Sequence, residues 1–95
     1  MKTRMATDGT LMWWCPGCNR AHGVPVRGEK AWGWNDSMEF PTLTPSVLVH
    51  SHKRHEQPDQ PLCHVFIRDG KIQFLGDCTH ALAGQTVDIP DWDEQ

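Results

Sequence analysis

Long apolar runs are missing from this chain. No stretch of its 95 residues approaches the roughly 18 consecutive apolar residues of a membrane-spanning helix. The opening MKTRMATDGTLMWW carries charges but no apolar run of the length a secretory signal needs. The expectation is a protein that does not enter a membrane and works in the cytoplasm. Basic clusters are also scarce. Beyond HKRH at 52–55 there is none, which disfavours a nucleic-acid partner. Internal repeats are absent, and the only helical candidate is THALAG (79–84), where Thr79 can cap a single turn that Gly84 ends.

Aliphatic residues are in short supply too. Hydrophobic residues make up 38% of the chain, but five are Trp, four Met and four Cys. A single domain of this length buries only about 60–65% of its unfolded surface, so its core is marginal and calls for a staple. The net charge of −3 is unevenly spread. Residues 1–54 hold seven Lys/Arg against four Asp/Glu (+3), and residues 55–95 two against eight (−6). The acidic end, VDIPDWDEQ, reads as a solvated tail rather than a contact surface.

What is present is punctuation. Eight Gly and seven Pro divide the sequence into short strand-like pieces at 11–14, 31–35, 46–50, 63–67, 71–75 and 85–89. This pattern predicts a small all-β, irregular β-rich domain with little helix. Its organisation is expected to be one domain over 1–95, with flexible ends at about 1–9 and 92–95 and an exposed loop at about 51–61. The histidines of that loop, His50, His52 and His55, read as solvated. FPTLTPSVL (40–48) is expected to make two turns, with Phe40 and Thr44 extended before their prolines.

The strongest local signal is CHVFIRDGKIQFLGDC (63–78). Asp69-Gly70 between alternating runs predicts a β-hairpin at about 63–77 with a type I′ turn, since both turn positions need positive φ. Strand alternation then puts Cys63, Val65, Ile67, Ile72, Phe74 and, past Gly76, Cys78 on one face. His64, Phe66, Gln73, Leu75 and Asp77 take the other. As diagonal neighbours, Cys63 and Cys78 sit roughly 7–8 Å apart at Cα. That suits two ligands of one tetrahedral zinc better than a disulfide.

WWCPGCNRAH (13–22) supplies the matching half. Cys-Pro-Gly-Cys is the tight turn of a zinc knuckle, and with the hairpin it outlines a zinc-ribbon-like site. The expected ligands of a structural Zn2+ are Cys15, Cys18, Cys63 and Cys78, with His80, then His22, then His64 as substitutes. A thioredoxin-like dithiol expects a helix after the second cysteine, which Gly23 and Pro25 oppose. A reducing compartment argues against disulfides. A zinc hydrolase needs an open metal position and a concave pocket that so small a core can hardly build. CPGC also lacks the His-x-Glu partner of the zinc deaminases. No residue is therefore assigned a catalytic role. The tryptophans read first as core, and Trp32 and Trp34, on one strand face around Gly33, are the candidate partner contacts.

CPGCNRAH, WGWN, PTLTPSVL and CHVFIRDGKIQFLGDCTHALAGQTVDIP together resemble a family of short proteins from tailed phages and prophages, of unknown function. The resemblance spans roughly residues 13–92, and Cys15, Cys18, His22, Cys63, His64, Cys78 and His80 match its pattern. It implies a phage-encoded protein of the host cytoplasm or, alternatively, of the virion. The resulting expectation is a non-enzymatic, zinc-stabilised binding module acting on a protein partner and modulating a host process. A structural part of the particle is the alternative, and a small metal-dependent hydrolase the weaker one.

Overall fold

The computed structural model describes residues 1–49 and 62–94. Among the described residues, two antiparallel sheets are built from eight strands. The first sheet contains β1 (Thr3–Met5), β2 (Thr10–Cys15) and β3 (Arg20–Pro25), in that order. The second is a sequential meander of β4 (Gly33–Trp34), β5 (Leu43–Val49), β6 (Cys63–Arg68), β7 (Lys71–Phe74) and β8 (Thr86–Asp88). Among the described residues the one helical element is a 3-10 turn at Trp92–Glu94. The all-β, β-rich expectation is met.

The predicted hairpin forms in the predicted register. Arg68 pairs with Lys71, Ile67 with Ile72 and Val65 with Phe74. Asp69 and Gly70 both take positive φ, 49° and 77°, as a type I′ turn requires. Its inward face, Cys63, Val65, Ile67, Ile72 and Phe74, is almost wholly removed from solvent. On β2 the same alternation buries Leu11, Trp13 and Cys15. These residues join Val24, Leu43, Val47 and Ile89 in one core shared by both sheets. Each fully buried aliphatic or aromatic side chain contributes about 1.5–3 kcal/mol.

Several local expectations give way to tertiary context. Residues 20–25 form an edge strand and not the helix that Gly23 and Pro25 oppose. A Cβ at Gly23 would stand 2.8 Å from the Thr10 methyl and 3.1 Å from Met12 Cγ, so glycine lets β3 lie close against β2. Pro25 closes that edge strand, where the missing N–H costs least. Near the N-terminus residues 3–5 form β1, and the Trp92 N–H donates to the Met1 carbonyl at 2.8 Å. THALAG is a run of turns rather than a helix. The 40–48 segment enters β5 at Leu43, with Pro45 in the stretch where the register shifts between Leu43 and Val47. The loop expected at about 51–61, with His50, His52 and His55, lies outside the described residues.

Candidate active site and metal centre

β6 starts where the two sheets meet, and its first two side chains serve two different sites. Cys63 points inward. Cys15 arrives from the end of β2, and the Cys15–Cys18 turn joins β2 to β3, with Cys15 paired to Arg20 and the Asn19 N–H bonded to the Cys15 carbonyl at 2.8 Å. The Cys15 and Cys63 sulfurs stand 3.8 Å apart. That is far beyond a disulfide bond of about 2.05 Å. It matches the edge of a tetrahedron whose centre lies about 2.3 Å from each sulfur. All four cysteines are free thiols.

Cys15, Cys18, His22 and Cys63 bring one donor atom each to within 4.8 Å of one another. Three sulfurs and an imidazole nitrogen form a soft donor set suited to zinc. The Cys18 backbone N–H approaches the Cys15 sulfur at 3.4 Å, as in a metal knuckle. The hydrogen-bonded contact with Cys63 holds the Cys15 thiol well below its ordinary value. Burial pushes the Cys18 thiol up. The contact with Cys15, with burial added, raises the Cys63 thiol. A divalent ion bound there would hold the sulfurs as thiolates and displace their protons.

A second group, Cys63, Cys78 and His80, shares Cys63 with the first. Cys78 and the Nδ1 of His80 make hydrogen bonds elsewhere, while His80 Nε2 is buried with no hydrogen-bond partner among the described residues. The Cys78 thiol donates to the His64 carbonyl at 3.3 Å and accepts the His64 N–H at 3.3 Å. His80 Nδ1 accepts the Leu82 N–H at 3.2 Å, which puts the proton of a neutral ring on Nε2. Neither nitrogen then offers a bare lone pair. The His80 ring packs edge-on against Phe74, with centroids 4.7 Å apart.

His64 points outward. Its Nε2 lies 3.0 Å from Ser46 Oγ and its Nδ1 3.1 Å from an Asp77 carboxylate oxygen. A hydroxyl, an imidazole and a carboxylate in series are the constellation of nucleophile, base and orienting acid. The three come from β5, β6 and the turn after β7. The main chain around that turn holds them in place: Leu75 N–H donates to the His64 carbonyl at 2.9 Å, and the neighbouring Cys78 sulfur grips both polar groups of the His64 backbone. Side-chain exposure is 26% for His64 and 53% for Asp77, so the array opens to solvent.

Of the residues singled out from sequence, Cys15, Cys18, Cys63 and His22 fall into one cluster, with Cys78 and His80 beside it. His64 stands on the opposite face of β6. Trp32 and Trp34 are half-buried against the core and donate their indole N–H groups to the carbonyls of Pro45 and Ser37. Ser46 and Asp77 were not singled out as an active site. The signal for Asp77 was present, because the hairpin register already put it on the His64 face. Nothing local marks Ser46, which reaches His64 only because β5 pairs with β6 through Leu48–His64 and Val47–Val65.

The chain matches, over residues 1–75, the family described as bacterial ubiquitination-like system serine protease (BubE). Ser46 and His64 lie inside the matched span, and Asp77 two residues beyond it. No match was found among curated proteins or among solved structures. The family's description overturns the expectation of a non-enzymatic, phage-encoded binding module; the hydrolase alternative is nearer, but the family is named for a serine protease of a bacterial system and not for a metal-dependent enzyme. Metal-ligand spacing points to the inner face of the hairpin, whereas the hydroxyl–imidazole–carboxylate series lies on the outer one. The chain belongs to the family of bacterial ubiquitination-like system serine proteases.

Proposed function

We propose that this chain is a serine peptidase with Ser46 as nucleophile, His64 as general base and Asp77 as the group that orients the imidazole. The carrying observation is the continuous Ser46–His64–Asp77 hydrogen-bond series, at 3.0 and 3.1 Å. Ser46 Oγ attacks the scissile carbonyl while His64 Nε2 takes its proton. Asp77 accepts the Nδ1–H bond, selects the tautomer whose Nε2 is basic, and stabilises the imidazolium that forms. His64 then passes the proton to the leaving amine, and water releases the acyl group by the same base. The chain order Ser, His, Asp is no obstacle, because such triads are recognised by geometry and role.

The cysteine cluster serves the fold. Cys15, Cys18, His22 and Cys63 are proposed to hold one structural Zn2+ on the inner side of β6, across the strand from Ser46. When bound, the ion supplies folding free energy to a core short of aliphatic residues. Free thiols favour a reducing compartment such as the cytoplasm. No helix among the described residues is long and apolar enough to cross a membrane. The protein partner expected from sequence becomes, on this reading, the substrate.

A fluorophosphonate probe tests the assignment, since it reacts with a serine only where a base activates it. Labelling of the wild-type chain, mapped to Ser46 by peptide mass spectrometry and lost in Ser46→Ala, is expected. An unlabelled wild type, or label on another residue, would sink it.

A further inference from the structure

The strand that carries the nucleophile is only partly covered. β4 pairs with β5 only through Gly33–Thr44 and Trp34–Leu43. Before Gly33 the chain turns away to the other sheet, where the Trp32 N–H donates to the Pro25 carbonyl at 2.7 Å. Among the described residues, no main chain pairs with the β4 side of β5 over Ser46–Val49. The Trp32 indole closes one end of this open edge by donating to the Pro45 carbonyl at 3.2 Å. Leu48, directly across from His64 in the ladder, is 54% exposed. Alternation puts its side chain on the same face as Ser46.

We infer that the substrate binds as an extended polypeptide segment that adds one strand to the open edge of β5 over Ser46–Val49. This rests on the serine peptidase reading. An open strand edge offers alternating N–H and C=O groups, and the ligand that matches them in repeat and direction is another main chain. Adjacent strands lie about 4.8 Å apart, so an added strand brings its carbonyls alongside Ser46 without any rearrangement of the sheet. Trp32 limits how far the segment extends toward Pro45, and Leu48 meets a substrate side chain on the His64 face. The substrate class is therefore a flexible segment, such as a terminal tail or an unfolded linker, because a residue already paired in a sheet cannot donate to a second edge.

The experiment has two arms on the full-length protein. Fluorophosphonate labelling reads the triad without any strand pairing. A quenched-fluorescence octapeptide library then yields a cleaved sequence, which is resynthesised with one amide N-methylated at a time, removing a donor while keeping every side chain. The expected result is an alternating pattern in which every second N-methyl group on one side of the cleaved bond lowers kcat/KM tenfold or more. Tolerance of N-methylation at every position overturns strand addition. So does labelling of Ser46 with no peptide in the library cleaved; in both cases the triad stands. Absence of labelling overturns the triad and the inference together.

Discussion

Cys63 and His64 are consecutive on β6 and face opposite ways. The Cys63 sulfur lies 3.8 Å from that of Cys15 inside the core, while the His64 ring lies outside between Ser46 Oγ and the Asp77 carboxylate. The two-residue period of a strand makes this unavoidable. One strand end thus carries a member of the cysteine–histidine cluster on one face and the imidazole of the proposed triad on the other.

Ser46→Ala is expected to abolish peptide turnover, on the order of 10⁴-fold or more, because the acyl-enzyme route then has no nucleophile. The side chain is half-buried and, among the described residues, bonded to His64, so the loss of stability should stay near that of an ordinary surface substitution, about 0.5 kcal/mol. Single-turnover assays beside thermal melts check both parts. A variant that retains turnover means that another residue is the nucleophile.

Asp77→Asn should leave the fold intact and lower kcat roughly 10⁴-fold, since an amide presents a donor where the imidazole needs an acceptor. With its side chain 53% exposed, the carboxylate contributes no more than about 1 kcal/mol to stability. Unchanged kcat in this variant would remove Asp77 from the mechanism.

Metal analysis with native mass spectrometry should find one zinc per chain, lost together with the tertiary fold on chelation or in Cys15→Ser. His22→Ala is expected to weaken zinc retention more than Cys78→Ser, because His22 belongs to the four-donor group while the Cys78 sulfur is bonded to the His64 backbone. A chelated chain that keeps its near-UV tryptophan signal and melting temperature would refute the staple.

Gly17→Ala should destabilise the fold by about 1–3 kcal/mol, an overpacking penalty. A Cβ at Gly17 would run into the His80 ring, which lies against the Cys-Pro-Gly-Cys turn. Gly76→Ala is the matched control, with nothing within 4 Å of an added Cβ. Equal melting temperatures for the two variants would mean that His80 does not pack there.

Much of the hairpin could be read directly. Asp69-Gly70 dictates its turn, and alternation from that turn assigns every side chain from Cys63 to Phe74 to its observed face. The same local rule put His64 and Asp77 together on the outer face and Cys63 with Cys78 on the inner one. The β3 strand was harder to read, because Gly23 and Pro25 look like breakers until the closeness of β2 and the edge position explain them.

Sequence alone determined what depends on neighbours a few residues apart: the all-β class, the hairpin register, and the knuckle turn that gathers Cys15 and Cys18. Only the tertiary structure decided which distant strands pair. The β5–β6 ladder brings Ser46 to His64 across eighteen residues of chain, and the meeting of two sheets brings Cys15 to Cys63 across forty-eight. Such contacts depend on how the whole core closes, so no local period records them. The proposed nucleophile therefore sits in an ordinary strand with no local mark, while the cysteines stand out by their spacing.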